Sequence, residues 1–324
     1  DVLPARVNQH VMIIRPNIEL VNPRYLLYLI NSRYYKSKLM TLSETGATRE
    51  ALTKDDISSF DVDLPSIGVQ NKVATILSNY DNLIENNYKR VKLLEGMTED
   101  IYTEWFVRLR FPNYANTKII DGVPDGWKES KIKSISNFIN GFAFKSSDFQ
   151  ESGHSIIKIK NIGNHTVDIT NSDKVSSDIT KKLDIKYRIN SGELLIAMTG
   201  ATVGKLGFMP ITKNKYYLNQ RVGKIKSNYL LFIFLFLSSK VGQKYIDNIA
   251  AGAAQPNISA DDIMNIRLLI PKQSILENFE NKIIDFYSEI HNLQEANENL
   301  KETRDVLLPR LISGKLDIEA LDIV

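Results

Sequence analysis

The chain contains no cysteine, which removes disulfide frameworks and thiolate metal sites from consideration. Its four histidines, His10, His154, His165 and His291, are scattered, so a histidine-based metal cluster is not expected either. No apolar run is long enough to cross a bilayer. The most apolar stretch, YLLFIFLFL at 229–237, has about half the needed length and reads as a buried helix. No secretory leader is visible from Asp1 onward, and the expectation is a cytoplasmic protein with no membrane partner.

Motifs for self-contained catalysis are missing as well. TGATVGKLG (199–207) has three residues between Gly200 and Gly204, and Leu206 follows Lys205. A Walker loop needs four residues there, and Ser or Thr after the lysine. A turn presenting Thr199, Thr202 and Lys205 is the expectation. NPRY (22–25) lacks the second proline of an amino-methyltransferase motif, and no glycine-rich cofactor loop follows a strand nearby. Pro23 is better placed opening a helix that carries Tyr25, Leu26 and Leu29. PDGWKESK (124–131) holds carboxylates too close in sequence to surround one metal, and Trp127 beside Gly126 reads as a domain-entry anchor. No nucleophile–base pair emerges elsewhere.

What is present is charge, unevenly spread. The net formal charge is only +3 over 324 residues. From Lys131 to Ile225, however, 15 Lys and Arg stand against 7 Asp and Glu, whereas from Gln273 to Arg310 the balance is 4 against 8. A basic block beside an acidic, regular one suggests a polyanion-binding domain next to a helical spacer or partner surface.

A repeat organises the chain. RVNQHVMII (6–14) returns as YLNQRVGKI (217–225), RYLLYLINS (24–32) as NYLLFIFLFLSS (228–239), and ETGATREALTKDDI (44–57) as AAGAAQPNISADDI (250–263). Each copy is expected to run a short strand into a proline, FDVDLP (60–65) and IRLLIP (266–271), at an offset of 206. A heptad helix follows each proline. In the first, Val73, Leu77, Tyr80, Ile84, Asn87, Val91, Leu94, Thr98, Ile101 and Trp105 alternate at spacings of 4 and 3. The second carries Phe279, Ile283, Phe286, Ile290, Leu293, Asn297, Leu300, Arg304, Leu307 and Leu311 in the same rhythm. Sustained heptads indicate coiled coil, and a seam asparagine disfavours slipped registers. Between the helices, short apolar runs bounded by Gly, Asn and Ser predict a mixed, mostly β domain.

GWKESKI, GFAFKSSDF, SGELLIAMTGATVGK, YYLNQRV, the proline-then-helix junctions and the ending RDVLLPRLISGKLDI (304–318) together resemble the specificity subunit of type I restriction-modification systems. The resemblance covers essentially the whole chain. It implies an α+β fold: two mixed, mostly β target recognition domains joined by two long helices that form an antiparallel coiled coil, a molecular ruler. Residues 1–68 would be the C-terminal part of a first recognition domain, 69–110 the first conserved helix, 111–272 the second recognition domain, and 273–324 the second helix and tail. The first copy has no counterpart of GWKESKI or TGATVGK, so residues 1–68 alone are not expected to form a competent reader. The resemblance further implies a non-catalytic chain that reads a bipartite site in double-stranded DNA. Two methyltransferase subunits and motor-nuclease restriction subunits would be its partners. No cofactor belongs to this chain; S-adenosylmethionine would be bound by the methyltransferases. The competing reading is a coiled-coil scaffold whose basic domain binds RNA or protein.

A reader holds phosphates with cations and discriminates at base edges. Lys145, Lys158, Lys160 and Lys205 are the phosphate candidates, against the alternative of solvated lysines. Asn219, Gln220 and Arg221, and likewise Asn8, Gln9 and His10, fit base readout by side-chain type. The same Asn-Gln pair could instead hold a turn through backbone hydrogen bonds. The glycine loops differ inside their shared frame, Thr48 and Arg49 against Gln255, Pro256 and Asn257, and differing loops are where differing specificity would sit. Glu277, Glu280, Glu289 and Glu298 are expected on outer helix faces, suited to charged partners.

Overall fold

The structure is a computed structural model that describes residues 6–45, 51–163, 165–251, 256–316 and 318. In chain order it begins with α1 (Pro23–Asn31), α2 (Arg33–Thr45), α3 (Lys54–Ser58) and α4 (Ile67–Tyr102). Six strands follow: β1 (Ile119–Ile120), β2 (Val123–Pro124), β3 (Lys128–Lys131), β4 (Asn137–Asn140), β5 (Phe149–Gln150) and β6 (His154–Ile157). Then come β7 (Ile162–Gly163), β8 (His165–Val167), β9 (Asp173–Val175), α5 (Ser177–Thr180), β10 (Arg188–Ile189) and β11 (Leu194–Ala197). The remainder is β12 (Leu206–Phe208), β13 (Tyr216–Leu218), β14 (Val222–Lys226), α6 (Leu230–Ser238), α7 (Lys240–Ala250), α8 (Ala260–Met264), β15 (Arg267–Ile270) and α9 (Gln273–Ile312). Two compact units result, Asp1–Lys89 with Ala296–Val324, and Arg90–Glu295.

In the first unit, Pro23 opens α1, as its fixed φ favours. Asn22 caps the helix by accepting from Arg24 N at 2.8 Å and Tyr25 N at 3.1 Å. Buried Gln70 on α4 ties the approach to this cap, accepting from Asn22 N at 2.9 Å and donating to Leu20 O at 3.1 Å and Pro65 O at 2.9 Å. Tyr25 and Leu29 then pack with Val73 and Leu77 of α4 and Leu311 of α9. Within this unit α4 and α9 run in opposite directions: Asp81 meets Arg304 at 2.7 Å, and further along Asn87 donates to Asn297 Oδ1 at 2.9 Å. Asn297, nearly inaccessible, also donates to Ile84 O at 3.4 Å. The two seam asparagines therefore satisfy each other.

All strands among the described residues belong to the second unit. A six-stranded sheet has the order β4-β14-β11-β12-β8-β7, and a five-stranded one the order β10-β13-β6-β9-β5. β11 shows why its sequence, LLIA, does not alternate with polar residues. Leu194 and Ile196 face a core built with α6 and α9, while Leu195 and Ala197 face Ile157, Ile189 and Leu218 of the other sheet. A strand covered on both faces has no polar side to show. For the same reason α6 is apolar all round; Leu231 to Leu237 are all buried. Trp127 sits where the second domain leaves the helix region, its ring 4.9 Å from Phe111 and 6.0 Å from Phe106. In this unit too α4 and α9 are antiparallel, with Arg90 on Glu289 at 2.7 Å and Tyr102 against Phe279.

Two expectations are corrected. FDVDLP forms no strand, whereas Arg267–Ile270 does, because β15 pairs antiparallel with β3 and residues 60–65 have no such partner among the described residues. A strand is a property of the pair, and it is the GWKESKI segment that supplies β15 with its partner. Glu280 is not on an outer face. It turns inward and accepts from Leu231 N at 3.2 Å and Phe232 N at 2.8 Å, capping α6 from another helix. Glu277, Glu289 and Glu298 do stay at the surface, engaged with Gln273, Arg90 and Lys301.

Candidate nucleic-acid interface

Five loops of the second unit converge on one end of its sheets. Register defines that end: Asn140 lies opposite Gly223, Ala197 opposite Val222, and Ile196 opposite Leu206. Backbone hydrogen bonds stitch the loops together. Phe142 N donates to Leu218 O and Gln220 N to Phe142 O, both at 2.8 Å, and Asn219 N reaches Ile157 O at 3.1 Å. Met198 N donates to Arg221 O at 3.0 Å, Ile258 N to Met198 O at 2.9 Å and Gly200 N to Pro256 O at 2.9 Å. The chain can cross so closely only because residue 141 is glycine: a Cβ there would stand 1.9 Å from Asn219 O. Gly204 is fixed similarly, at φ +78° with a Cβ position 2.5 Å from Ile246 of α7. Stitching of this kind gives the edge a defined shape without a ligand.

The candidate side chains divide at this edge. Lys205, Gln220 and Arg221 are exposed, and no hydrogen bond or ion pair engages their side chains among the described residues. Lys145 is exposed, with its amide donating to Asp148 Oδ2 at 2.7 Å. Lys158 and Lys160 share one carboxylate, Asp173, at 2.6 Å and 2.8 Å, and Lys158 lies over the Phe149 ring at 3.6 Å. Their two ammonium groups hold the Asp173 carboxyl below its ordinary range. Thr202 is turned toward Ile159 O at 3.4 Å, and the Thr199 hydroxyl is buried with no hydrogen-bond partner among the described residues. The expected turn is a short 3₁₀ segment, Gly200–Thr202, which points neither threonine hydroxyl outward. Asn257 is exposed and bridges backbone to backbone with Thr199.

The Asn-Gln phrase behaves alike in both copies. Asn8 Oδ1 accepts from His10 N at 3.0 Å, and Asn219 Oδ1 accepts from Arg221 N at 3.4 Å. Asn219 is itself buried. Each asparagine thus closes a turn on the backbone two residues on, which suits the second of the two roles open from sequence. Asn8, Gln9 and His10 are exposed in the first unit, followed by apolar residues about half exposed, from Val11 at 54% to Ile14 at 48%. Thr48, Arg49 and Gln255 lie outside the described residues, so the contrast between the glycine loops has no geometry to rest on.

The residues missed from sequence are Asp173, Phe149 and Asn140. Asp173 is one acid in a basic block, and its pairing with both lysines arises from β9 lying beside β6. Asn140 sits at the end of β4 beside a cleft of about 360 Å³ that Met198, Asn257 and Ile258 also line. A larger cleft of about 890 Å³ lies at the opposite end of the six-stranded sheet, between Ser134, Asn137, Lys226, Tyr229 and Gln273. Among the described residues no group of three or more His, Asp or Glu could hold a metal ion, and no helix is long and apolar enough to cross a membrane.

Comparison with known proteins gives this edge its context. The family profile described as "type I restriction modification DNA specificity domain" matches residues 4–95 and 124–303. The MjaIX type I restriction enzyme specificity subunit of Methanocaldococcus jannaschii is 26% identical over 98% of this chain and 74% of its own length. The HindI specificity subunit of Haemophilus influenzae is 22% identical over 96% of this chain and 81% of its own. In fold, the chain is similar to the crystal structure of a type I restriction-modification S subunit from M. genitalium. The TM-score is 0.57 at 14% identity, over 91% of this chain and 74% of that one. With most of its length inside the matched segments, the chain belongs to the type I restriction-modification DNA specificity family.

Proposed function

We propose that this chain is the sequence-reading subunit of a type I restriction-modification complex, non-catalytic by itself, and that the five-loop edge of the second unit reads one half of a bipartite target in double-stranded DNA. The observation that carries the reading is the convergence of Lys145, Lys205, Gln220 and Arg221 on one prebuilt edge. Cations supply the sequence-independent hold on phosphate, and Arg and Gln supply paired groups for guanine and adenine. Asn8 and Asn219 shape the turns, and the residues after them read: Gln220 and Arg221 here, Gln9 and His10 in the first copy. Thr48, Arg49, Gln255 and Asn257 remain the candidates for difference between the halves.

The remaining assignments follow from the same reading. The segment 1–68 is the C-terminal part of the first recognition domain and 111–272 the second, 69–110 is the first ruler helix, and 273–324 holds the second with the C-terminal tail; the paired helices fix the gap between half-sites. The exposed acids Glu277, Glu289 and Glu298 suit docking of two methyltransferase subunits, which bind S-adenosylmethionine; restriction subunits join them for cleavage. The complex works on cytoplasmic DNA. The test is to co-express the chain, in its full reading frame, with the methyltransferase encoded beside it, and to map adenine methylation across the host genome. A split motif with a constant gap is the expected result. Co-purification without any new methylation would overturn the DNA-reading role and favour a scaffold that binds RNA or protein; failure to co-purify would overturn the assignment to this complex.

A further inference from the structure

The cleft at the end of β4 has a composition unlike the lysine-bearing loops around it. Asn140 and Asn257 both line it, both exposed and with no hydrogen bond from either side chain to another described residue. Its floor is apolar, made of buried Met198 and Ile258, whose backbones are joined by the 2.9 Å bond from Ile258 N to Met198 O. Asp261 stands at the rim, and the neighbouring Asp262 is consumed in capping α8, where it accepts from Ser259 N at 2.9 Å. Thr199, bridged to Asn257 through the backbone, has a buried hydroxyl with no hydrogen-bond partner among the described residues. Among the described residues no lysine or arginine lines the cleft.

We propose, resting on the DNA-reading function above, that this cleft is a base-reading subsite for an A·T pair, with Asn140 and Asn257 as specificity-determining residues. A phosphate is the wrong ligand: the described lining offers no cation, and Asp261 would repel it. A base edge fits. The free amide of asparagine offers a donor and an acceptor in the spacing of adenine N7 and N6, and an apolar floor accepts the thymine methyl group. Asn140 is held on a strand in register with Gly223, so its amide is presented from a rigid element. The lysine loops position the duplex, while this cleft reads one pair.

The test uses the assembled complex of the full chain and its methyltransferase. Binding is measured to duplexes carrying the mapped target and to a set in which each base pair is replaced in turn. Wild type is expected to lose roughly tenfold or more at one A·T position that Asn140→Ala and Asn257→Ala then tolerate, with discrimination elsewhere and the salt dependence unchanged. Thermal melting and co-purification establish that the variants are folded and assembled. Discrimination retained by both variants at every position would overturn the proposal. So would a uniform loss of affinity with a shallower salt dependence, the mark of a phosphate contact. A wild-type complex that discriminates at no position would instead sink the DNA-reading function itself, a separable result.

Discussion

Glu280 offers a sharp physical test because one carboxylate serves as the cap of a helix to which it does not belong. α6 has no side-chain cap of its own at Tyr229, and its first amides, Leu231 N and Phe232 N, are met instead by Glu280 from α9. The two backbone donors favour the ionised carboxyl, but burial outweighs them and raises its pKa from 4.5 to about 7. The sign follows by linkage. Between pH 4.5 and 7 the native state binds a proton that the unfolded chain has released, so stability falls as pH rises through this window. From about 4.5 to about 7, at 1.36 kcal/mol per unit, the full effect above pH 7 is ~3 kcal/mol. Glu280→Gln keeps a carbonyl acceptor for the shorter bond, from Phe232 N, gives up the longer one from Leu231 N, and removes the titration. Urea unfolding of both proteins from pH 5 to 8.5 checks this. The Gln variant should gain on wild type steadily across the window and exceed it at pH 8. Comparing the two proteins also cancels His154 and His291, whose pKa values burial lowers and which therefore pull stability the opposite way with pH. A difference that stays constant with pH, or a wild type more stable than Glu280→Gln at pH 8, would refute the reasoning.

Three further outcomes are expected. Asn87→Leu strands the buried Asn297 amide oxygen, at a cost of ~1–3 kcal/mol, whereas Asn87→Leu with Asn297→Leu together should exceed wild type, since the pair trades stability for register; denaturant unfolding of the three proteins gives the order. Asp173→Asn releases Lys158 and Lys160 from their shared carboxylate, so binding to non-target duplex should tighten and the slope of log K against log salt should steepen by about 0.9 for each lysine that then meets a phosphate; an unchanged slope would show that release of these lysines adds no phosphate contact. Gly141→Ala forces a methyl group into the Asn219 carbonyl, and should cost about 1–3 kcal/mol and depress DNA binding, as thermal melting and duplex titration will show.

Much of this architecture is written in spacing. The heptads give α4 and α9, and their two asparagines are seam residues that meet each other in space, because a 3–4 rhythm determines which face is buried whatever lies around it. The Thr53–Asp56 and Ser259–Asp262 capping boxes, 206 residues apart, are local enough to be legible in the same way. Glu280 was not legible. On a helical wheel it is one more acid on an acidic helix; only the packing of α6 against α9 gives it amides to cap. Asp173 and Asn140 escaped for the same reason, since the fold, not sequence proximity, puts one between two lysines and the other in one cleft with Asn257.

The phrase repeated at 6–14 and 217–225 separates what a short sequence encodes from what it borrows. Both copies form the same turn, with the asparagine accepting from the amide two residues on. That bond needs nothing outside the phrase. The residues after the turn diverge. Val222–Lys226 becomes β14, with β4 on one side and β11 on the other, and its first four residues are buried. Val11 to Ile14 pair with no strand among the described residues and stand half exposed. The unpaired stretch, VMII, is the more apolar of the two, against VGKI in the strand, so propensity does not decide between them. Partners do: β4 comes from NFIN and β11 from LLIA, segments the second copy contains and the first lacks in this sequence. A turn that forms alone and a strand that waits for neighbours are what a reading module needs if its frame is to be common and its complement exchangeable.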